Sequence, residues 1–413
     1  MNRGSLQSGQ ALILIVFAII GLVSLTGLAV DGGMAYSDRR NAQNAADNSA
    51  LAAALAYARH RDPDVTARAS AANGGFNDNG TSNTVTVTAA DLPSGVCPNM
   101  AHGKDITVQI TSHVKTYFAP VVGILETVNT VRATARSCDP YTGPMFPGNA
   151  IIALAPSGTG FEGNGTPDWL VEHGGIFSNS SSSPSARCKG NAGVTAPSLT
   201  AVGSVIPDCA ADIPLMTTGA SQYQYDDYES LLPRVPACNG HAIHSGNLWT
   251  AEPNADGSRV AFSGDMHFGP GLFCVTNSPG PFHGQITGNW VSFFLMPSDF
   301  HMTFNGGGNL TATAPTIGEY AGVLIFSAPQ LSGRTLQGTQ AIDFRGNGTG
   351  EVTGSIILPS ADVTMFGNSN SNGYKTQIIA YHVDSGGNAD IHINYNAGLS
   401  YQASHPAWLT LLK

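Results

Sequence analysis

Three groups of residues in this chain have types and spacings that could do chemistry. Asp226, Asp227 and Glu229 lie among Tyr223, Tyr225 and Tyr228. Carboxylates this close could bind Ca²⁺, although a solvated loop or helix start is the plainer reading. Cys238, His241 and His244 have zinc-like spacing, but a disulfide cysteine beside two surface histidines is the plainer reading. Gly346-Asn347-Gly348-Thr349-Gly350 has the glycines of a phosphate loop and no helical pattern after it, so it reads as a corner of the chain. Cleaving a polysaccharide needs paired carboxylates across a groove, or an acidic calcium site with a base. Asp343, Asp362, Asp384 and Asp390 instead occur singly, and lysine near them is confined to Lys375 and Lys413. No nucleophile elbow, Walker A loop or HExxH pair occurs. No catalytic residue is expected, and no cofactor beyond Ca²⁺ at the acidic trio. Trp169, Trp249 and Trp290 could stack on sugars, with core packing as the default.

The cysteines say more. All six (Cys97, Cys138, Cys188, Cys209, Cys238 and Cys274) follow a long apolar segment, and none forms a CxxC pair. Three disulfides in an oxidising compartment suit that pattern, with fifteen connectivities open. Neighbour pairing (97–138, 188–209, 238–274) is expected because each pair falls inside one proposed unit. The apolar segment, Ala11 to Val30, contains no charge and as a helix is about 30 Å long, the thickness of a bilayer core. It is too long for a signal-peptide core and lacks a good cleavage site, so a retained single-pass anchor is expected. Arg3 before it and Arg39 and Arg40 after it leave orientation open. The cysteines place the N-terminus in the cytoplasm and the bulk outside.

The elements that must position these residues follow from composition and period. A chain of 413 residues is long enough for two or three domains. Only 11% of them are charged, the net charge is −10, and 42% are hydrophobic. Such a chain is too apolar for disorder and has no basic surplus for nucleic acid. Helical character continues from Gly32 to Arg61, and Pro63 ends it. Gly21, Gly27, Ala35, Ala42 and Ala46 offer small side chains for a partner helix, while Ala50 to Tyr57 would hold the head. Asp62-Pro63 starts a second helix, closed by Asn73-Gly74-Gly75. Alternation at residues 84–88, 105–110 and 127–135 predicts a small antiparallel sheet against the long helix, an α+β, pilin-like module.

Beyond about residue 145, short apolar runs alternate with Gly/Asn/Ser turns. Ile356-Ile357 recurs as Ile378-Ile379, and Phe344-Arg345-Gly346-Asn347 as Phe366-Gly367-Asn368, both at a spacing of twenty-two. Self-similarity at this period predicts stacked coils, a right-handed parallel β-helix, with a β-sandwich as the alternative. The expected organisation is a cytoplasmic N-terminus (1–10), transmembrane helix (11–30), α+β module (31–145), β-helical head (146–400) and apolar tail (401–413). The tail, Trp408 to Leu412, is expected to cap the head's open end. Ser178 to Ser185 reads as a low-complexity surface loop.

Gly9-Gln10-Ala11-Leu12, Ala29-Val30-Asp31 and Gln43-Asn44-Ala45-Ala46-Asp47 together resemble the amino-terminal region of TadE/TadG-like proteins. Tyr117-Phe118-Ala119, Gly123 and Val131 to Ala135 continue the resemblance, which covers about residues 7–136. It implies a part in a tight-adherence (Flp-type) pilus system, with the membrane and other pilus or filament subunits as partners. The later part is similar to Gly-rich β-helical domains on some such anchors, carried by Gly174 to Ser180, Pro270 to Cys274 and Gly354 to Pro359. This implies a surface-displayed structural or adhesive role, toward a polysaccharide or host surface. No Asp-x-Ser-x-Ser metal-adhesion triplet is present, nor the processed-helix glutamate of type IV pilins. The alternatives are a membrane-anchored carbohydrate-active β-helix and an envelope protein unrelated to pili.

Overall fold

An unbroken stretch without proline makes one helix, α1 (Ser8–Ala58), of 51 residues and about 75 Å. The computed structural model describes residues 8–166, 168–206, 210–277, 281–305, 309–345, 351–366, 374–388 and 390–412. Cys209, the Gly346–Gly350 run and the Gly367-Asn368 half of one recurrence lie outside them. The fold is mainly β after the helices. Side chains from Leu12 to Val30 are exposed, Gly27 excepted, as in a segment with no protein around it. Pro63 begins α2 (Pro63–Asn73), with Asp62 as N-cap accepting the N–H groups of Asp64 (2.9 Å) and Val65 (3.3 Å).

The chain divides into two units, Met1–Tyr141 with Pro406–Lys413, and Thr142–His405. In the first, strands β1 (Asn83–Asp91), β2 (Gly103–Lys115) and β3 (Glu126–Cys138) pair antiparallel in that order. Ala42, Ala46, Ala50 and Ala53 are fully buried in one cluster with Ile106, Val108, Ile110 and Val131. Alanine on the helix and branched residues on the sheet let the two layers approach closely. The apolar tail does not cap the other unit. Trp408–Leu412 pairs antiparallel with β3, matching Cys138 with Trp408 and Thr134 with Leu412. Its alternating Leu409 and Leu411 pack against the helix–sheet core, and the strand covers an edge of β3 that would otherwise be bare.

In the second unit the long ladders are parallel, unlike the antiparallel pairing of a β-sandwich. Leu199, Ile176, Ile151, Ile378, Ile356, Ile325, Phe293 and Phe273 stack in register as one interior row. The next residue of every strand but that of Leu199 forms a second row (Phe177, Ile152, Ile379, Ile357, Phe326, Phe294, Cys274), buried in a separate cluster on the other face. Burial on both faces explains the continuous apolar runs. Ile357 and Ile379 therefore belong to the outer cluster, not the interior row. The twenty-two-residue recurrence holds for Ile356/Ile378, whereas Phe344 pairs with Met365, and Arg345 lies 4.4 Å from the Phe366 ring.

The order of the rounds differs from the order of the chain. The first strand, Asn149–Ala153, lies between Ile378–Ser385 and Gly175–Ser178, in the middle of the stack. Rounds grow from it to Leu215–Thr217, and the chain then resumes at the far end with Gly240–His241. Ten parallel pairings separate those ends, roughly 48 Å at ~4.8 Å each. Residues 218–239 make the return, contributing Tyr228, Leu231 and Cys238 to the outer cluster. Asn179 ties that segment down, accepting the Tyr223 N–H (2.7 Å) and donating to the Tyr223 carbonyl (2.8 Å). The serine-rich segment is a surface loop only at its middle: Ser181 and Ser183 are exposed, whereas Ser178, Asn179, Ser180 and Ser185 are buried.

Ile378 sits where the two halves of the stack join. Ile378→Asp should leave the 142–405 unit unfolded, because it puts an unpaired charge in the interior row. Ile378→Val should cost about 1 kcal/mol. Urea unfolding followed by tryptophan fluorescence checks both, since Trp169 is fully buried in this unit.

Candidate functional site

The polar residues on α1 that face the sheet make the connection between anchor and module. Asp31 is one residue past the apolar run. Its Oδ1 accepts the Tyr117 N–H (2.8 Å), and its Oδ2 accepts the N–H groups of Phe118 (3.0 Å) and Ala119 (2.7 Å). Those three donors open the short turn Ala119–Val122 in the β2–β3 loop. The Tyr117 amide, helped by Ala119 and Phe118, outweighs desolvation and holds the Asp31 carboxyl below its ordinary range. One helical turn earlier, Gly27 faces Phe118, where an added Cβ would come within 2.6 Å of the Phe118 Cβ. Glycine is required there by space.

Two further ties lie along the same helix. Asp38 accepts from the Ser112 hydroxyl and from Asn129 Nδ2 (2.8 Å), which also donates to the Ala35 carbonyl (3.0 Å). Gln43 Nε2 donates to Asp47 (2.8 Å) and to the Arg132 carbonyl (3.2 Å). The bonds to the Asp31 and Asp38 carboxylates are charge-assisted, about twice as strong as the neutral bond from Gln43 to the Arg132 carbonyl. Helix and sheet are thus held at three levels by polar contacts and between them by alanine packing.

This arrangement corrects the expected use of the small residues. Ala42 and Ala46 are not free for a partner helix, being fully buried against the protein's own strands. Ala35 is half-buried and Gly27 is covered by Phe118; Gly21 has no neighbour within 4 Å. The tie through Asp31 was missed in the sequence, although an aspartate directly after an apolar run, four residues beyond a glycine, was the available signal.

The other candidates are dispersed. Asp226 and Glu229 both meet Arg334, the latter at 3.4 Å, and Asp227 accepts the Gln224 N–H (2.8 Å) at a helix start. Cys238 is in a disulfide with Cys274, and His244 stacks on Trp249 with ring centres 4.3 Å apart. Cys97 is joined to Cys138. Cys188 is also disulfide-bonded, while its expected partner Cys209 lies outside the described residues. Among the described residues no group of three His, Cys, Asp or Glu is placed to hold a metal ion. Trp169 is core, whereas Trp290 is 52% exposed. Asp343 pairs with Arg345 (2.7 Å), Asp362 with His382 (2.8 Å), and Asp390 accepts the Asp168 N–H (3.1 Å). Asp384 is the unusual one. It lies across the ladder from Glu162, and burial together with that carboxylate pushes its pKa up to about 6. Glu162 is bound by Arg187 (2.7 Å) and Lys189 (2.9 Å), which outweigh its burial and lower its pKa.

Residues 9–58 match the TadE/G-like Flp pilus-assembly family. No curated protein and no solved structure gave a match to the chain. The matched segment contains Asp31, Asp38, Gln43 and Asp47, and ends at the last residue of α1.

Asp31→Ala should abolish hydrogen-exchange protection at the amides of Tyr117, Phe118 and Ala119 at neutral pH. In the unmodified protein the lowered pKa makes the tie complete above the ordinary carboxylate value of about 3.9 and lost only as pH falls below it. Amide exchange against pH reads both. Asp384 has the opposite sign. Its raised pKa gives a stability contribution that is full below about 3.9 and is lost as pH rises through about 6. Asp384→Asn should remove that loss and raise the melting temperature at pH 7 relative to the parent, with a smaller gain at pH 5.

Proposed function

We propose that this chain is a structural or adhesive component of a Tad-type (Flp) pilus or related filament. It crosses the membrane once through residues 11–30, with its N-terminus in the cytoplasm and both units outside. The TadE/G-like segment at residues 9–58 carries this reading. A helix with exposed apolar side chains over the span supports the anchoring, and disulfides in both units support the compartment. The second unit is proposed to be a right-handed parallel β-helix, on the evidence of its in-register parallel rows. Its partners are the membrane and pilus components, with a polysaccharide or host surface as the target of the displayed unit. The protein is proposed to be non-enzymatic.

A carbohydrate-active reading is favoured by one observation, the Asp384–Glu162 pair with its pKa values pushed apart, as acid–base work requires. The purified second unit's action on a polysaccharide panel decides it: new reducing ends or unsaturated sugars, lost in Asp384→Asn, would replace the structural reading.

Antibody to the second unit, applied to intact cells, should label filaments. Label confined to cell bodies, unchanged when the pilus machinery is deleted, would overturn the pilus assignment. Native protein from the cell surface should also take up no thiol-alkylating reagent before reduction, and six reactive cysteines would reverse the orientation.

A further inference from the structure

The loop between β2 and β3 runs from Thr116 to Leu125 with the sequence TYFAPVVGIL, ten residues without a charge. Among the described residues, its Val121 is the most exposed large apolar side chain. Val121 is 91% exposed, Tyr117 and Leu125 are each 71%, and Ile124 is 50%. Soluble surfaces seldom gather so many apolar side chains at one tip. The tip lies beside α1, sharing with Val23, Gly27 and Leu28 an apolar groove of about 270 Å³. Those helix positions are the last two turns of the apolar run, so the patch on the loop is continuous with the lipid-facing surface of the span.

The loop's backbone is arranged as a low-dielectric setting demands. In a bilayer each unpaired N–H is costly, and irregular backbone is tolerated only when its polar groups are satisfied. Asp31 takes the N–H groups of Tyr117, Phe118 and Ala119, and Pro120 has none. Val121 donates to the Phe118 carbonyl (3.2 Å), Gly123 to Pro120 (3.0 Å) and Ile124 to Ala119 (3.1 Å). The Thr116 hydroxyl donates to the Ile124 carbonyl (2.6 Å).

We propose that this loop is a second membrane element, a wedge of apolar side chains lying in the lipid at the headgroup–acyl boundary and held beside the span by Asp31. The inference rests on reading residues 11–30 as the membrane span. The geometry sets the depth. From Asp31 down to Gly27 the helix descends about 6 Å, and to Val23 about 12 Å, a range that overlaps the roughly 5–10 Å typical of interfacial elements. Lys115, exposed at the hairpin's base opposite Glu126, then sits at headgroup level.

The test uses the full chain reconstituted in phosphatidylcholine–phosphatidylglycerol vesicles, with an environment-sensitive fluorophore on single introduced cysteines, the native disulfides left intact. Leu22→Cys reports the span, Val121→Cys the loop and Thr86→Cys the exposed face of β1. The label at 121 should be blue-shifted, quenched by spin-labelled lipid and shielded from an aqueous quencher, as at 22; the label at 86 should behave as in water. Adding Asp31→Ala should shift 121 toward water and leave 22 unchanged. Lipid contact at 22 with water contact at 121 would overturn the wedge alone, and water contact at 22 would overturn the anchoring reading beneath it. A label at 121 shielded from lipid and water alike would assign the loop to a protein partner and also overturn the proposal.

Discussion

The carboxylate of Asp31 meets three backbone donors at the one place where helix, sheet and expected membrane surface come together. A charge at the end of an apolar run would ordinarily face water. Here it is buried, because the loop delivers its amides to it, and the ion replaces solvent for a turn that cannot supply its own acceptors. Everything above is indexed from this contact. Asp38 is seven residues on, two turns up the same face of α1, and Gln43, five more and turned about 140° round the helix, reaches the sheet through its long side chain at the Arg132 carbonyl. The alanines between them set the distance, and the polar ties set the sliding register.

A different constraint orders the second unit. A stack of parallel rounds has two raw ends, and its chain must somehow travel between rounds. Placing Asn149–Ala153 in the middle means both of its edges are paired, by Ile378–Ser385 on one side and Gly175–Ser178 on the other. The cost is a return segment along the outside. That segment covers the outer face of the main sheet, so the same residues that close the topology also complete the second core.

The period-two runs were legible in the sequence, because alternation depends only on which face of a strand is buried. So was the helix, since twenty uncharged apolar residues admit few other conformations in a membrane. The stacked isoleucines were legible as a recurrence, yet which face each one serves was not, because a sheet buried on both sides has no polar partner row to mark inside from outside. The serine-rich stretch, exposed at Ser181 and Ser183, was illegible at its buried ends for a related reason. Its polarity is spent internally, Ser178 on Ser185 and Asn179 on Tyr223, and composition cannot distinguish a polar group bonded to protein from one bonded to water. Ala42 and Ala46 misled because small side chains suit any close approach, whether by the chain's own sheet or another helix. Asp31 is set by a partner 86 residues away, in a backbone that carries no residue-type signal.

The strand that closes the stack and the strand that completes the antiparallel sheet both come from residues 378–412. Neither unit can finish before these residues have been made. The first round made, Asn149 to Glu172, must wait with one edge open until Ile378–Ser385 arrives, and β3 waits likewise for Trp408–Leu412. Such long-range closure slows folding and leaves strand edges bare meanwhile. A chain cut before Ile378 would therefore present bare strand edges in both units at once.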